Sequence, residues 1–118
     1  MNKKRNFLIT GATGFVGACI VRRLLKEDQN VTILIRKEAK LWRIKDILDK
    51  VNVIYSDLSN VKTLDKIFQS VRPDVIYHLA ANGAYSYQDD ADQIIQTNII
   101  GTWNLIKASL PYPYELFI

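Results

Sequence analysis

One cysteine, one histidine, one methionine and three prolines occur in 118 residues. The lone Cys19 excludes an intramolecular disulfide, and with a single His78 the chain has no Cys/His set at metal-ligand spacing. Cys19 lies in an apolar helical pattern and is expected to be a packed thiol. No apolar run approaches the ~18 residues that span a bilayer. The charged start, Lys3-Lys4-Arg5, has no apolar signal region behind it. The expectation is a cytoplasmic protein with no membrane partner. The basic excess is only +4. Its side chains are spread along the chain, apart from that start and a looser group from Arg36 to Lys45. There is no basic face or module of the kind that binds nucleic acid. Glycine is scarce too, with five in all, yet Gly11, Gly14 and Gly17 fall within seven residues.

The rest is ordinary for one globular domain: 48% hydrophobic and 24% charged. A domain of this size buries roughly two-thirds of its unfolded surface, enough for a real core. Short β-branched runs at Phe7–Thr10, Val31–Arg36, Val51–Tyr55 and Val75–Leu79 alternate with amphipathic stretches. Val16, Ile20, Leu24 and Leu25 recur at helical spacing opposite Arg22, Arg23, Lys26 and Glu27. Leu41, Ile44, Ile47 and Leu48 predict a second helix. Ser59 is placed to cap a third, which carries Val61, Leu64, Ile67 and Phe68. A long helix is expected from about Asp90 to Ser109, ended by Pro111 and Pro113.

Apolar strands joined by helices predict an α/β fold: a doubly wound parallel sheet with helices on both faces. Glu115 to Ile118 read as the start of a fifth strand, and the chain stops inside it. The expectation is a fragment of a longer protein, truncated at that strand.

The three glycines lie where the first strand meets the first helix. Gly11 suits the tight turn, Gly14 the approach of a diphosphate, and Gly17 the close packing of helix on strand. A helix N-terminus offers unpaired N–H groups and partial positive charge to that diphosphate. The spacing is G-x-x-G-x-x-G, and no Lys follows the last glycine, which disfavours a mononucleotide P-loop. No acidic cluster follows the first strand, so a phosphate-receiver domain is disfavoured as well.

The run Thr10-Gly11-Ala12-Thr13-Gly14-Phe15-Val16-Gly17 resembles the coenzyme turn of the extended short-chain dehydrogenase/reductase family, the nucleotide-sugar epimerases, dehydratases and reductases. "SDLSN", with Asp57 and Leu58, resembles that family's adenine-contacting pair; a helix-capping turn is the other reading. "DVIYHLAA" resembles its fourth strand and small-residue turn, with Leu79, Ala80 and Ala81 beside the cofactor. "TNIIGTWNLIKAS" resembles the following helix. There Asn98 shares a face with Ile94, Ile95, Gly101, Thr102 and Leu105, and either helps hold the active site together or is purely structural. His78 is read as packing. The resemblance covers essentially the whole chain, residues 1–118, and implies an N-terminal NAD(P)-binding Rossmann region. The implied cofactor seat comprises Gly11, Thr13, Gly14, Phe15, Val16, Gly17, Arg36, Asp57, Leu58, Leu79, Ala80, Ala81 and Asn98.

An acidic residue at the end of the second strand would receive ribose hydroxyls and indicate NAD. Arg36-Lys37 stands there instead. A guanidinium pairs with a 2′-phosphate, which favours NADP over NAD; Arg36 also suits stacking on adenine with NAD in the seat. The family's acid–base pair is Tyr-x-x-x-Lys, helped by Ser or Thr. Four places after Tyr55, Tyr77, Tyr85, Tyr87, Tyr112 and Tyr114 come Ser59, Ala81, Asp89, Ala91, Leu116 and Ile118. No catalytic residue is therefore assigned in this chain, and the fragment is expected to be inactive. The implied parent transfers hydride at a carbon of a nucleotide sugar. The alternative is a non-catalytic dinucleotide-sensing module of the same fold. Residues 82–90 read as an ordinary loop, where Tyr85, Ser86 and Tyr87 are candidates for substrate contact. An open sheet edge and an uncovered helix face predict self-association, and the family's long helix suggests a homodimer.

Overall fold

The computed structural model describes residues 3–118. Strands β1 (Asn6–Thr10), β2 (Asn30–Ile35), β3 (Asn52–Tyr55), β4 (Val75–His78) and β5 (Leu116–Phe117) form one sheet in the order β3-β2-β1-β4-β5. Every neighbouring pair is parallel. β1 is central, with Leu8 and Ile9 fully buried. Its neighbours turn outward in both directions, so the order reverses beside it. Such a reversal opens a crevice at the carboxyl ends of the strands.

Helices cover both faces, as the alternating pattern predicts. Helix α1 (Phe15–Lys26) and a short 3₁₀ helix (Lys45–Lys50) lie on one face. There Ile9, Val21, Leu24, Ile33, Ile44 and Ile47 form a cluster. Helix α2 (Val61–Val71) lies on the other with α3 (Ala91–Ile95), a π-helical stretch (Gln96–Gly101) and α4 (Thr102–Ser109), which run on as one rod. Leu8, Leu64, Phe68, Ile76 and Leu105 make that second cluster. Among the described residues, no helix is long and apolar enough to cross a membrane.

Several local expectations are corrected. The buried face of α1 is Gly17, Ala18, Val21 and Leu24, so Val16 and Cys19 point outward. The thiol is exposed because close approach of α1 to the glycine turn seats the small Gly17 and Ala18 against the sheet. The stretch from Leu41 to Leu48 forms only the 3₁₀ helix, yet Ile44 and Ile47 are buried as their spacing suggested. Helix α2 is capped by Asn60, not Ser59: Asn60 Oδ1 accepts from Thr63 N–H at 3.2 Å. The Ser59 N–H instead donates to Asp57 Oδ1. The long helix starts at its Asp90 cap and ends at Ser109, but the π stretch inserts an extra residue per turn. Ile95 is consequently 49% exposed and not on the buried face with Gly101 and Leu105.

Candidate functional site

Because all five strands run the same way, the segments that follow them meet on one rim. These are the glycine turn after β1, Arg36 after β2, Asp57-Leu58 after β3 and Leu79–Ala81 after β4. The sequence-predicted residues are thereby gathered on the switch-point side of the sheet.

The three glycines have distinct surroundings. Gly11 has φ +72°, and a Cβ there would lie 2.5 Å from the Leu79 carbonyl carbon and 2.6 Å from Ala80 N. Its backbone therefore touches the turn after β4. A Cβ on Gly17 would collide with Gly11 O and sit 2.8 Å from Ala12 Cα, so Gly17 locks α1 onto β1. Gly14 differs. Its φ of −76° is open to any residue, and a Cβ there would meet only Gly11 O, at 3.4 Å. Space lies open above it. Gly14 is also the N-cap of α1 and supplies no side-chain cap. The first-turn N–H groups, at Phe15, Val16 and Gly17, are the ones a helix leaves without internal partners. Phe15 and Val16 stand 74% and 57% exposed beside that opening. An open, uncapped helix start with no side chain over it is the shape a diphosphate needs, so these residues fit a dinucleotide.

The turn after β4 is held by a half-buried polar chain. Ala80 N–H donates to Thr10 Oγ1 at 3.2 Å. Thr10 Oγ1 pairs with His78 Nδ1, and His78 Nε2 with Thr102 Oγ1, both at 2.7 Å. Hydroxyls complement either tautomer of a neutral imidazole. His78 thus does more than fill space: it ties β1, β4 and α4 together behind Ala80. Burial lowers its pKa from the ordinary 6.5. Unfolded, His78 takes up a proton as pH falls through 6.5; folded, it resists until lower pH. Its contribution to stability is complete above 6.5 and declines as pH drops below. Denaturant melts at pH 7.5 and 5.5 are expected to show lower stability at 5.5. His78→Asn should flatten the difference, since the chain has no other histidine. An undiminished difference in the variant would contradict this assignment.

Asn98, in the π stretch, clamps the loop after β4. Its Oδ1 accepts from Asn82 N–H at 2.8 Å and its Nδ2 donates to Asn82 O at 2.7 Å. The amide acts through the loop rather than standing free at the rim. Gly101 and Asn104 fix the β3 side in the same way. A Cβ on Gly101 would crowd Leu58, and Asn104 Nδ2 donates to Leu58 O at 3.0 Å. Asp57 uses one carboxylate oxygen in a turn with Ser59 and is otherwise exposed. Tyr85 and Tyr87 stack with ring centroids 5.5 Å apart, on the exposed surface of the loop.

Arg36 is exposed at the end of β2, with Glu38 at 3.8 Å. One residue at the rim was not expected from the sequence. Arg43, from the β2–β3 crossover, donates from Nη1 to Thr13 O at 3.2 Å. Thirty residues separate them, and no spacing rule links the two; the only sequence trace was the loose basic group from Arg36 to Lys45.

Comparison with known proteins agrees with this geometry. The model of the NAD dependent epimerase/dehydratase family matches residues 7–118. The chain is 31% identical over 114 residues to dTDP-glucose 4,6-dehydratase of Neisseria meningitidis serogroup B, covering 92% of this chain and 32% of that protein. Among solved structures, an epimerase of Methanothermobacter thermautotrophicus superposes with TM-score 0.86 at 26% identity, over 98% of this chain and 34% of the other. The UDP-glucose 4-epimerase of Thermus thermophilus, solved in complex with NAD, gives 0.76 at 26% identity, over 90% and 34%. The chain spans about a third of the length of these relatives. With its glycine turn, its strand order and a family match across nearly all its length, the chain belongs to the NAD dependent epimerase/dehydratase family.

Proposed function

We propose that this chain is the nicotinamide-dinucleotide-binding part of a nucleotide-sugar epimerase, dehydratase or reductase. The open seat above Gly14, at the uncapped start of α1, carries the reading. Gly11 and Gly17 shape the turn. The N–H groups of the first turn of α1, reached past Thr13, Gly14, Phe15 and Val16, hold the diphosphate. Arg36, Asp57 and Leu58 line the adenosine end, where Arg36 favours NADP over NAD. Leu79, Ala80 and Ala81 leave room for the ribose next to the nicotinamide, and Asn98 positions that wall through Asn82. The bound dinucleotide supplies the hydride acceptor or donor. No tyrosine here is followed four places on by lysine, so this chain alone binds without turning over a sugar nucleotide. The single exposed thiol suits a reducing, cytoplasmic setting. A fluorescence titration with NADPH and NADH tests the reading: saturable binding is expected, and its absence with both overturns it.

The same reading includes a homodimer. Ile95, Ile99, Ile100, Trp103 and Leu110 are 39–65% exposed along one rod, an apolar row rather than scattered single residues. Sedimentation equilibrium is expected to show a dimer that Ile99→Lys weakens at least ~10-fold, since a lysine ammonium buried unpaired is costly. A wild-type chain that stays monomeric at all concentrations would contradict it.

A further inference from the structure

Of the chain's asparagines, only Asn82 is followed by glycine; the others precede Lys, Phe, Val, Ile or Leu. Gly83 has φ +94°, and a Cβ there would lie 3.0 Å from Ile94 Cδ1. That left-handed backbone favours glycine, so the fold itself keeps the Asn-Gly pair together. The pair lies in the loop between β4 and α3. Asn82 is half-buried and Gly83 exposed, so water and hydroxide reach the peptide bond between them.

That peptide is held by side chains. Asn98 Nδ2 donates to its carbonyl, Asn82 O, at 2.7 Å. Its nitrogen, Gly83 N–H, donates to Gln88 Oε1 at 3.2 Å. Gln88 Oε1 also accepts from Tyr85 N–H at 3.3 Å, so one acceptor serves two long bonds. The Asn82 side chain is held less firmly still: its Nδ2 reaches Gln93 Oε1 only at 3.5 Å. An amide carbon with a loosely held leaving group thus stands next to a nitrogen that has no Cβ to crowd its approach. The short bond from Asn98 to the carbonyl polarises the same peptide and makes its N–H more acidic.

We propose that Asn82 and Gly83 form a site of spontaneous backbone modification, at which Asn82 converts to isoaspartate, with Gln88 as the brake. Hydroxide removes the Gly83 amide proton. The nitrogen attacks Asn82 Cγ, and the new N–Cγ bond closes a five-membered succinimide. The Cγ–Nδ2 bond breaks, and ammonia leaves with a proton from water. Water then opens the ring: opening at the former backbone carbonyl leaves isoaspartate, and opening at Cγ leaves aspartate. The net change is one water taken up and one ammonia released, with no oxidation or reduction. Isoaspartate carries the main chain through Cβ and Cγ, one methylene longer, and turns the carbonyl that Asn98 grips into part of a carboxylate. The clamp on the loop after β4 is then lost. The reaction stands whether or not a dinucleotide binds.

The test incubates the whole chain at pH 8.5 and follows residue 82 by peptide mapping and mass spectrometry. Wild type, Gln88→Ala, Gln88→Glu and Asn82→Gln are compared, with a thermal melt on each to confirm that it is folded. Wild type is expected to accumulate isoaspartate at residue 82 ahead of every other asparagine. Gln88→Ala should react at least ~3-fold faster, the rate equivalent of one modest hydrogen bond. Gln88→Glu keeps an acceptor for Gly83 N–H and should be no faster than wild type. Asn82→Gln keeps the backbone groups that Asn98 grips but cannot close a five-membered ring, and should stay unmodified at residue 82. A native chain that leaves Asn82 intact while the same chain in urea modifies it overturns the proposal. So does an equal rate in wild type and Gln88→Ala, or an equal gain in both Gln88 variants.

Discussion

Gly14→Val is expected to abolish dinucleotide binding while leaving the fold intact. The seat requires open space over the first turn of α1, and Gly14 is the one glycine of the three where such space exists. Two methyl groups there would stand between the N–H groups and a diphosphate. Charge-assisted bonds from several N–H groups are at stake, each ~1.5–3 kcal/mol. Affinity should fall at least ~100-fold, equivalent to ~2.7 kcal/mol. The folded state tolerates the change because Gly14 already has φ −76° and ψ 174°. Valine is a poor N-cap, so a loss of ~1 kcal/mol in stability is expected. Titration with NADPH and a thermal melt, on the same sample, check both halves. Binding at wild-type strength would remove the reason for a glycine at this position.

Gly17→Ala should have the opposite outcome. Here a single methyl meets Gly11 O and Ala12 Cα, both backbone atoms that no rotamer change can move. Either α1 lifts off β1 or the glycine turn opens. Overpacking of this kind costs ~1–3 kcal/mol where side chains can shift, and the upper end applies where they cannot. At ~3 kcal/mol the melting midpoint should drop by roughly 10–20 °C for a chain of this size. Any loss of cofactor affinity would then follow from the fold. A thermal melt gives the measurement, and an unchanged midpoint would show that α1 has slack beside the turn. The pair of variants therefore separates a glycine kept for packing from a glycine kept for a ligand.

That separation was partly legible in the sequence. Buried strands read as near-continuous apolar runs, so β1, β2 and β4 could be located within a residue or so. The glycine turn was visible because glycine is scarce elsewhere. What the sequence could not show depended on contacts between distant segments. Val16 and Cys19 point outward because Gly17 must face β1, which rotates the helix away from its simplest apolar stripe. The crossover from Leu41 to Leu48 has helical spacing but winds only one 3₁₀ helix, where Ile44 and Ile47 provide the burial. Asn98 was singled out correctly as a polar residue needing partners, yet those partners are backbone atoms of Asn82, sixteen residues earlier. The π stretch that presents it has no periodicity distinct from an α-helix. Arg43 was hidden for the same reason, since its partner Thr13 is near only in three dimensions.

The central claim is that a dinucleotide lies on the carboxyl rim of the sheet with its diphosphate over Gly14. Amide NMR of the ¹⁵N-labelled chain, titrated with NADPH, tests this most directly. The account predicts the largest shifts at Gly14, Phe15, Val16 and Gly17, with further shifts at Arg36, Arg43 and Ala80. Residues at the opposite end of the strands, such as Gln29, Asn30 and Asn52, should stay still. Shifts gathered at that opposite end, with the glycine turn unmoved, would contradict the account.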